Sequence, residues 1–293
     1  MNRREIPPSE LIINNDGSIF HLHLKPEQLA DRVILVGDPD RVKTVASFLD
    51  NIECRVSNRE FNTVTGSYKG KRITVQATGI GCDNIDIVLN ELDALANIDF
   101  STRKQKERLR QLQFVRIGTC GGLQPYIPLG TYICSVKSIG FDGLLNFYHK
   151  RNEICDTEFE SAFKRHMNWS SLHTSPYVID SDSELFKRIM ANDTDMISGV
   201  TISCGGFYGP QGRVLRIPLS DPKQNEKIEQ FEYENYKITN FEMESSALAG
   251  LSHLLGHKAM TVCLVIANRY AKEMDTDYKS LMKKLILKVL DRI

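Results

Sequence analysis

The fold is decided first by the stretch RVILVGDPDR, which occupies residues 32–41. After Arg32 it begins with four apolar residues, which predict a short buried strand. Gly37 breaks that strand, and Asp38 followed by Pro39 is typical of a helix start, because aspartate caps free backbone N–H groups and proline suits the first helical position. A strand that turns through glycine into a helix is the repeating unit of an α/β fold.

The same alternation continues along the chain. Further strands are predicted at residues 73–78, 114–119, 132–136, 200–203 and 260–266, and helices at residues 85–95, 158–167, 183–190, 242–255 and 281–289. Gly66 and Gly70 mark a hairpin ahead of the strand at 73–78, and the charged residues 99–113 are interpreted as a solvated helix extension or loop. No low-complexity segment or solenoid repeat is present. The chain is therefore predicted to be a single α/β domain with a central mixed β-sheet flanked by helices.

Composition excludes several classes of function. The 293 residues carry 37 basic and 37 acidic side chains, so a nucleic-acid partner is not expected, because phosphate-backbone binding needs an excess of positive charge. No apolar run is long enough for a membrane span or a signal peptide. The seven cysteines are scattered singly, which is typical of free thiols in a reducing compartment and predicts a cytoplasmic protein without a structural zinc site.

Three arginines stand at positions that suggest an anion site. Arg41 follows a glycine turn, Arg59 ends a predicted strand, and Arg116 is embedded in an apolar one. A buried guanidinium is costly unless it is paired, so Arg116 requires either a carboxylate partner or an anionic ligand. The residue pattern leaves these two alternatives open. If the three arginines converge, a phosphate dianion is the favoured ligand, because it accepts bidentate guanidinium contacts.

Two other segments carry candidate binding groups. Glu242 and Glu244 flank Met243 at a predicted helix start, where acids either complement the positive helix end or grip the vicinal hydroxyls of a sugar. Residues 207–213 offer an aromatic face, an amide and a guanidinium, which suit a flat heterocycle with carbonyl oxygens. Taken alone, each segment is explained as well by a structural role.

Six short motifs occur in order along the chain: VGDPDR at 36–41, REF at 59–61, TGIG at 78–81, RIGTCG at 116–121, FYGPQGR at 207–213 and FEMES at 241–245. Together they resemble the bacterial uridine phosphorylase branch of the nucleoside phosphorylase family. The likeness extends from about Phe20 to the C-terminus, which implies a nucleoside phosphorylase-like domain at 20–293 and an N-terminal extension at 1–19. The activity that the resemblance implies is phosphate-dependent cleavage of uridine to uracil and ribose 1-phosphate.

The resemblance also implies roles for individual residues. The phosphate-binding set is Gly37, Arg41, Arg116 and Thr119, with Arg59 reaching in from a neighbouring subunit. The ribose-binding set is Glu242, Met243 and Glu244, with His21 supplied by a neighbour. The base-binding set is Cys120, Gly121, Phe207, Gln211 and Arg213, and the residues expected to carry catalysis are Arg41, Arg116, Arg213 and Glu244.

The resemblance bears on assembly and on the branch as well. It implies a dimer-based homo-oligomer, usually a hexamer. Glu60 is implied to help hold a monovalent cation such as potassium at the dimer interface, and no other cofactor is implied.

Purine-cleaving relatives place an aspartate after the late core strand, and here that position falls in Ala267-Asn268-Arg269. The chain departs from the usual motifs at Cys120, where a threonine is usual, and in the Gly-Pro order at 209–210. A purine phosphorylase, a nucleosidase of the same fold or a non-catalytic nucleoside-binding protein remain the alternatives.

Overall fold

A computed structural model of the chain describes residues 4–293 and divides them into strands and helices. The strands are β1 (Arg32–Val36), β2 (Asn51–Asn58), β3 (Phe61–Tyr68), β4 (Lys71–Ala77), β5 (Ile98–Asp99), β6 (Lys104–Gln105), β7 (Gln113–Gly122), β8 (Tyr132–Gly140), β9 (Tyr177–Asp180), β10 (Met196–Ser203), β11 (Glu232–Tyr233), β12 (Tyr236–Glu242), β13 (Lys258–Asn268) and β14 (Glu273–Met274). The helices are α1 (Pro39–Ala46), α2 (Cys82–Asn97), α3 (Arg151–Ile154), α4 (Thr157–Met167), α5 (Ser183–Met190), α6 (Gln224–Gln230), α7 (Ser245–Leu255) and α8 (Lys279–Arg292).

One large mixed sheet forms the centre of the molecule. Strands β7, β13, β8, β10 and β12 pair in that order, and β12 returns to pair with β7, so these five strands close into a barrel. Strands β1, β4, β3 and β2 extend the sheet outward from β7. Strands β4, β1, β7 and β13 run parallel, which places their carboxyl ends at one edge. The predicted α/β fold with a central mixed sheet is confirmed.

The sheet is covered on both faces. Alternate residues of β1 point to opposite sides, as a strand requires. Ile34 and Val36 belong to a cluster that includes apolar residues of α1, α5 and α8. Val33 and Leu35 belong to another cluster, with apolar residues of α2 and α7. Burial on both faces explains why this strand is continuously apolar.

Local signals in the sequence predicted most elements. Asp38 accepts a hydrogen bond from the backbone N–H of Asp40 and caps α1, with Pro39 at its first position. The predicted hairpin turns through Lys69 and Gly70, both of which have positive φ. One element start was wrong, because the helix expected from Glu242 begins at Ser245. Glu242 instead ends β12, whose pairing with β10 and β7 overrides the helical pattern.

The segment before Phe20 packs onto the rest of the chain. Leu11 and Ile19 are buried in the same apolar cluster as α2 and α7. In the charged stretch 99–113, Arg103 donates to the backbone carbonyls of Ile6, Pro7 and Leu11 and so holds the N-terminal segment. The stretch includes the short antiparallel pair of β5 and β6 rather than a helix extension. Residues 1–3 of the predicted extension lie outside the described residues. Within 4–293, no helix combines the length and the apolar character that crossing a membrane demands.

Candidate active site

The candidate site lies where the carboxyl ends of the parallel strands meet. The backbone there approaches closely, because a Cβ added to Gly37, after β1, would lie 3.2 Å from the carbonyl oxygen of Gly79, after β4. Gly79 and Gly81 both have positive φ, at 70° and 99°, which favours glycine. Ligands of open α/β sheets gather beyond the carboxyl ends of strands.

Closure of the barrel brings a second set of residues to this edge. Phe241, near the end of β12, pairs antiparallel with Gly121, near the end of β7. Glu242 then lies beside Arg116, with 3.1 Å between Oε2 and the guanidinium Nη1. Two motifs separated by more than a hundred residues therefore form one cluster.

Arg116 is the centre of this cluster and is 4% exposed. Its guanidinium is paired with Glu242 and Glu244, and Nη1 lies 3.7 Å from the sulfur of Cys263. Burial alone would lower the pKa of Arg116, but Glu244 and then Glu242 outweigh burial and raise it. The sequence left open whether Arg116 has a carboxylate partner or an anionic ligand, and the structure shows two carboxylate partners. The buried Nε has no hydrogen-bond partner among the described residues, so the guanidinium keeps a free donor.

Both carboxylate oxygens of Glu242 accept hydrogen bonds from the protein. Its carboxylate accepts from the backbone N–H groups of Glu244 and Ser245 at 2.9 and 3.0 Å, from the Ser245 hydroxyl at 2.8 Å and from the Ser203 hydroxyl, besides Arg116. These contacts cap the first turn of α7 and leave little capacity for a sugar hydroxyl. The arrangement differs from the ribose-binding role that the resemblance implies for Glu242.

Glu244 joins the cluster to the glycine turn after β4. One of its oxygens accepts from the backbone N–H of Gly81 at 2.7 Å, and the other binds Arg116. Burial raises the pKa of Glu244, and the neighbouring Arg116 opposes that shift. Met243, half-buried, lies directly between the two glutamates in the chain.

Arg41 lies beside Arg116 without a carboxylate of its own. Its Nη1 donates to the backbone carbonyl of Ile117 at 3.2 Å, and no carboxylate within residues 4–293 forms an ion pair with its guanidinium, although the charge of Asp38 acts on it and favours its protonated form. Burial, and then the positive charge of Arg116, lower the pKa of Arg41. Thr119, half-buried two positions after Ile117, lies on the same strand. An unpaired guanidinium beside a second one is an arrangement that an anion would stabilise.

The predicted base-binding side chains form one compact unit. The guanidinium carbon of Arg213 lies 3.7 Å from the ring centroid of Phe207, and Nη1 donates to the Phe207 carbonyl oxygen at 2.6 Å. The same nitrogen donates to the side-chain oxygen of the buried Gln211. Burial, and then the charge of Arg269, lower the pKa of Arg213 to about 10.

Arg269 is a member of this region that the sequence did not single out. Its Nη2 donates to the carbonyl oxygen of Gly212 at 3.4 Å, and its Cγ lies 3.7 Å from where a Cβ on Gly121 would stand. The Nη1 of Arg269 is buried without a hydrogen-bond partner in the described chain. The only signal in the sequence was its place after the late core strand, directly behind Asn268.

Comparison with known proteins decides the family. A family model described as the phosphorylase superfamily matches residues 31–292. The chain belongs to this superfamily. It is 29% identical over 264 residues to a uridine phosphorylase of Thermococcus kodakarensis, covering 88% of this chain and 80% of that protein. It is 27% identical over 246 residues to a DeoD-type purine nucleoside phosphorylase of Bacillus subtilis, covering 84% and 85%.

A solved structure of this superfamily has the same fold. The crystal structure of a Trypanosoma brucei nucleoside phosphorylase, described as showing uridine phosphorylase activity, has a TM-score of 0.85 and 28% identity. The match covers 97% of this chain and 100% of that one. The family membership predicted from the six motifs is thereby confirmed.

In this superfamily member, Asn268 is committed to the backbone. Its Nδ2 donates to the carbonyl oxygens of Gln124 and Ile127 at 3.2 and 2.7 Å, and its Oδ1 accepts from the backbone N–H of Ala271 at 2.8 Å. The side chain is 4% exposed and is an amide. It is therefore not a proton donor of the kind that the purine branch is expected to carry at this position.

His21 and Arg59 make their described contacts with Glu91 and Phe20 and not with the arginine cluster. The His21 Nδ1 is 2.6 Å from a carboxylate oxygen of Glu91, which also accepts from the His21 backbone N–H. The Arg59 guanidinium carbon lies 5.5 Å from the ring centroid of Phe20. Glu91 is ten positions after Gly81 on α2, about 15 Å along the helix axis. No hydrogen bond or ion pair within residues 4–293 joins His21 or Arg59 to Arg41, Arg116 or Glu244.

Cys120 and Glu60 are the two remaining positions that the resemblance names. Cys120 is buried in β7 next to Gly121, and burial raises its pKa well above the usual range. Glu60 is exposed in the turn between β2 and β3, with its Cγ 3.6 Å from where a Cβ on Gly79 would stand.

Proposed function

We propose that the chain is a uridine phosphorylase, a pentosyltransferase that converts uridine and inorganic phosphate to uracil and ribose 1-phosphate in pyrimidine salvage. The observation that carries the proposal is the unpaired guanidinium of Arg41 beside the buried Arg116, at the same strand ends as Glu244. A non-catalytic nucleoside-binding protein does not need a site for a phosphate nucleophile next to a sugar-binding carboxylate. The uridine phosphorylases among the relatives support the base assignment.

In the proposed mechanism, phosphate attacks the anomeric carbon while the bond to uracil breaks. Gly37, Arg41, Arg116 and Thr119 bind and align the nucleophile, and such positioning can remove about 7–11 kcal/mol of a barrier in favourable cases. Negative charge develops on the oxygens of the leaving uracil. Gln211 and Arg213 stabilise that charge, which exists mainly in the transition state.

The sugar and the base occupy the space between these groups. Met243 and Glu244 bind the ribose, and Glu244 is the carboxylate of the pair with fewer protein contacts. Phe207 packs on the uracil ring, and Cys120 and Gly121 line the base site from β7. The proposed phosphorolysis of uridine needs no redox cofactor.

We propose further that the active enzyme is a homo-oligomer built from dimers, with a hexamer as the expected assembly. Within residues 4–293, His21 and Arg59 form no hydrogen bond or ion pair with Arg41, Arg116 or Glu244, so they suit a role in a neighbour's site. Glu60 is exposed, so a potassium ion at a dimer interface would need oxygen ligands from a second subunit as well. Seven free cysteines support a cytoplasmic location.

A phosphate-dependent assay tests the proposal directly. The purified chain is incubated with uridine, thymidine or inosine, with and without phosphate, and base and ribose 1-phosphate are quantified by chromatography. We expect rapid release of uracil only with phosphate, and slower release of hypoxanthine. Base release that ignores phosphate would make the protein a nucleosidase, and a preference for inosine would place it with the purine phosphorylases.

A further inference from the structure

The start of α6 holds the loop that carries the base-binding side chains. We call residues 207–213 the base loop. Gln224 donates from Nε2 to the carbonyl oxygen of Pro210 at 2.9 Å, and Asn225 donates from Nδ2 to that of Gln211 at 3.4 Å. With Arg269 on Gly212, three successive carbonyl groups of the loop are bound by side chains from outside it.

Asn225 also packs directly on the turn. Gly212 has a φ of 68°, and a Cβ added to it would lie 2.3 Å from Oδ1 and 2.5 Å from Nδ2 of Asn225. The amide therefore occupies the space that a side chain at position 212 would need. The Asn225 Oδ1 is buried and accepts no hydrogen bond from the described residues. A hydrogen bond to Oδ1 is therefore not what holds the Asn225 amide against Gly212.

Helix α6 is itself anchored, so it can act as a fixed support. Ile228 is fully buried in the apolar cluster that includes Phe159, Phe163 and Phe241. The side chain of His166, on α4, lies 2.7 Å from the carbonyl oxygen of Lys227, and Lys227 binds Asp221 at 2.6 Å.

We propose that Gln224 and Asn225 are positioning residues that set base specificity. They hold the backbone at Pro210 and Gln211, and Arg213 follows because it is bound to Gln211 and stacked on Phe207. A site that reads a base by hydrogen bonds discriminates only if its donors and acceptors are fixed before the base arrives. This inference rests on the proposed uridine phosphorylase activity.

The test uses Gln224→Ala and Asn225→Ala, with Gln230→Ala as the matched control. Gln230 is the last residue of the same helix and is exposed. Losing one or two neutral hydrogen bonds corresponds to about a tenfold fall in kcat/KM for uridine. We expect that fall in the two test variants, a smaller fall for inosine, and an unchanged KM for phosphate. The control is expected to match the wild type in all three quantities.

A double-variant cycle separates positioning from a general loss of structure. If Gln224 acts through Arg213, then Gln224→Ala lowers kcat/KM much less in an Arg213→Ala background than in the wild type. Equal effects in both backgrounds would overturn the inference, as would equal losses for uridine and inosine. An inactive wild type would count against the proposed function. An active wild type with an equally active Gln224→Ala variant would count against the positioning role alone.

Discussion

Replacing Glu242 with glutamine tests whether this residue is a structural cap. Glu242 accepts from Arg116, from two serine hydroxyls and from two backbone N–H groups, and it is 4% exposed. The serine hydroxyls can rotate to accept from the new NH2 group, so the amide oxygen can keep the contacts with Arg116 and the backbone. The cost is then mainly the loss of negative charge beside a buried guanidinium.

That cost can be bounded. Removing one partner of a buried ion pair costs about 3–5 kcal/mol, and a hydrogen bond to a charged group contributes about 1.5–3 kcal/mol. Glu244 still pairs with Arg116 in this variant and reduces the loss of folding free energy. We expect Glu242→Gln to lower the free energy of unfolding by about 2–4 kcal/mol relative to the wild type.

Urea denaturation at pH 7 and a fixed protein concentration measures this change. Glu232→Gln is the control, because Glu232 forms an exposed ion pair with Lys237 at 3.3 Å and should contribute less than about 1 kcal/mol. The ratio of activity on uridine to that on 2′-deoxyuridine should not change in Glu242→Gln. A loss of stability no larger than the control's, or a changed sugar preference, would refute the capping role.

Four further predictions concern other residues of the described chain. Glu244→Gln should reduce activity on ribosides more than on 2′-deoxyribosides, because only ribosides present a vicinal diol; equal losses would remove the sugar-binding role. Arg213→Ala should lower phosphorolysis of uridine far more than phosphate affinity measured by calorimetry, and comparable losses would contradict its placement at the base. Gly118→Ala should destabilise the protein by about 1–3 kcal/mol, since its Cβ would lie 2.3 Å from Nη1 of Arg116, whereas Gly209→Ala meets no atom within 4 Å and should be neutral in thermal unfolding. Asp142 accepts from the hydroxyls of Tyr177 and Ser246, and burial raises its pKa above its ordinary 3.8, so the folded state binds its proton more tightly than the unfolded state. The stability of the wild type relative to Asp142→Asn should therefore fall as the pH rises from 3.8 through the raised pKa, and a pH-independent difference would show that no such shift exists.

Local sequence was sufficient for elements whose signals lie within a few residues. Asp38 and Pro39 marked the start of α1, and the predicted helix at 183–190 has the bounds of α5. Strand β12 was missed because its acidic end was interpreted as the start of the next helix. The partners that make it a strand, β10 and β7, are far away along the chain.

The sequence by itself determined the family, through six ordered motifs, and supplied the candidate residues of the site. The resemblance named Arg41, Arg116, Glu244, Gln211 and Arg213 as candidates, because each lies in one of those motifs. Only the tertiary structure decided which of them meet. Closure of the barrel placed Glu242 and Glu244 on Arg116. The folded chain also places Arg41 where no carboxylate forms an ion pair with it among the described residues, and it brings Arg269 to the base loop. Side-chain periodicity fixes which face of a strand a residue occupies, but the pairing of strands more than a hundred residues apart depends on burial across the whole chain.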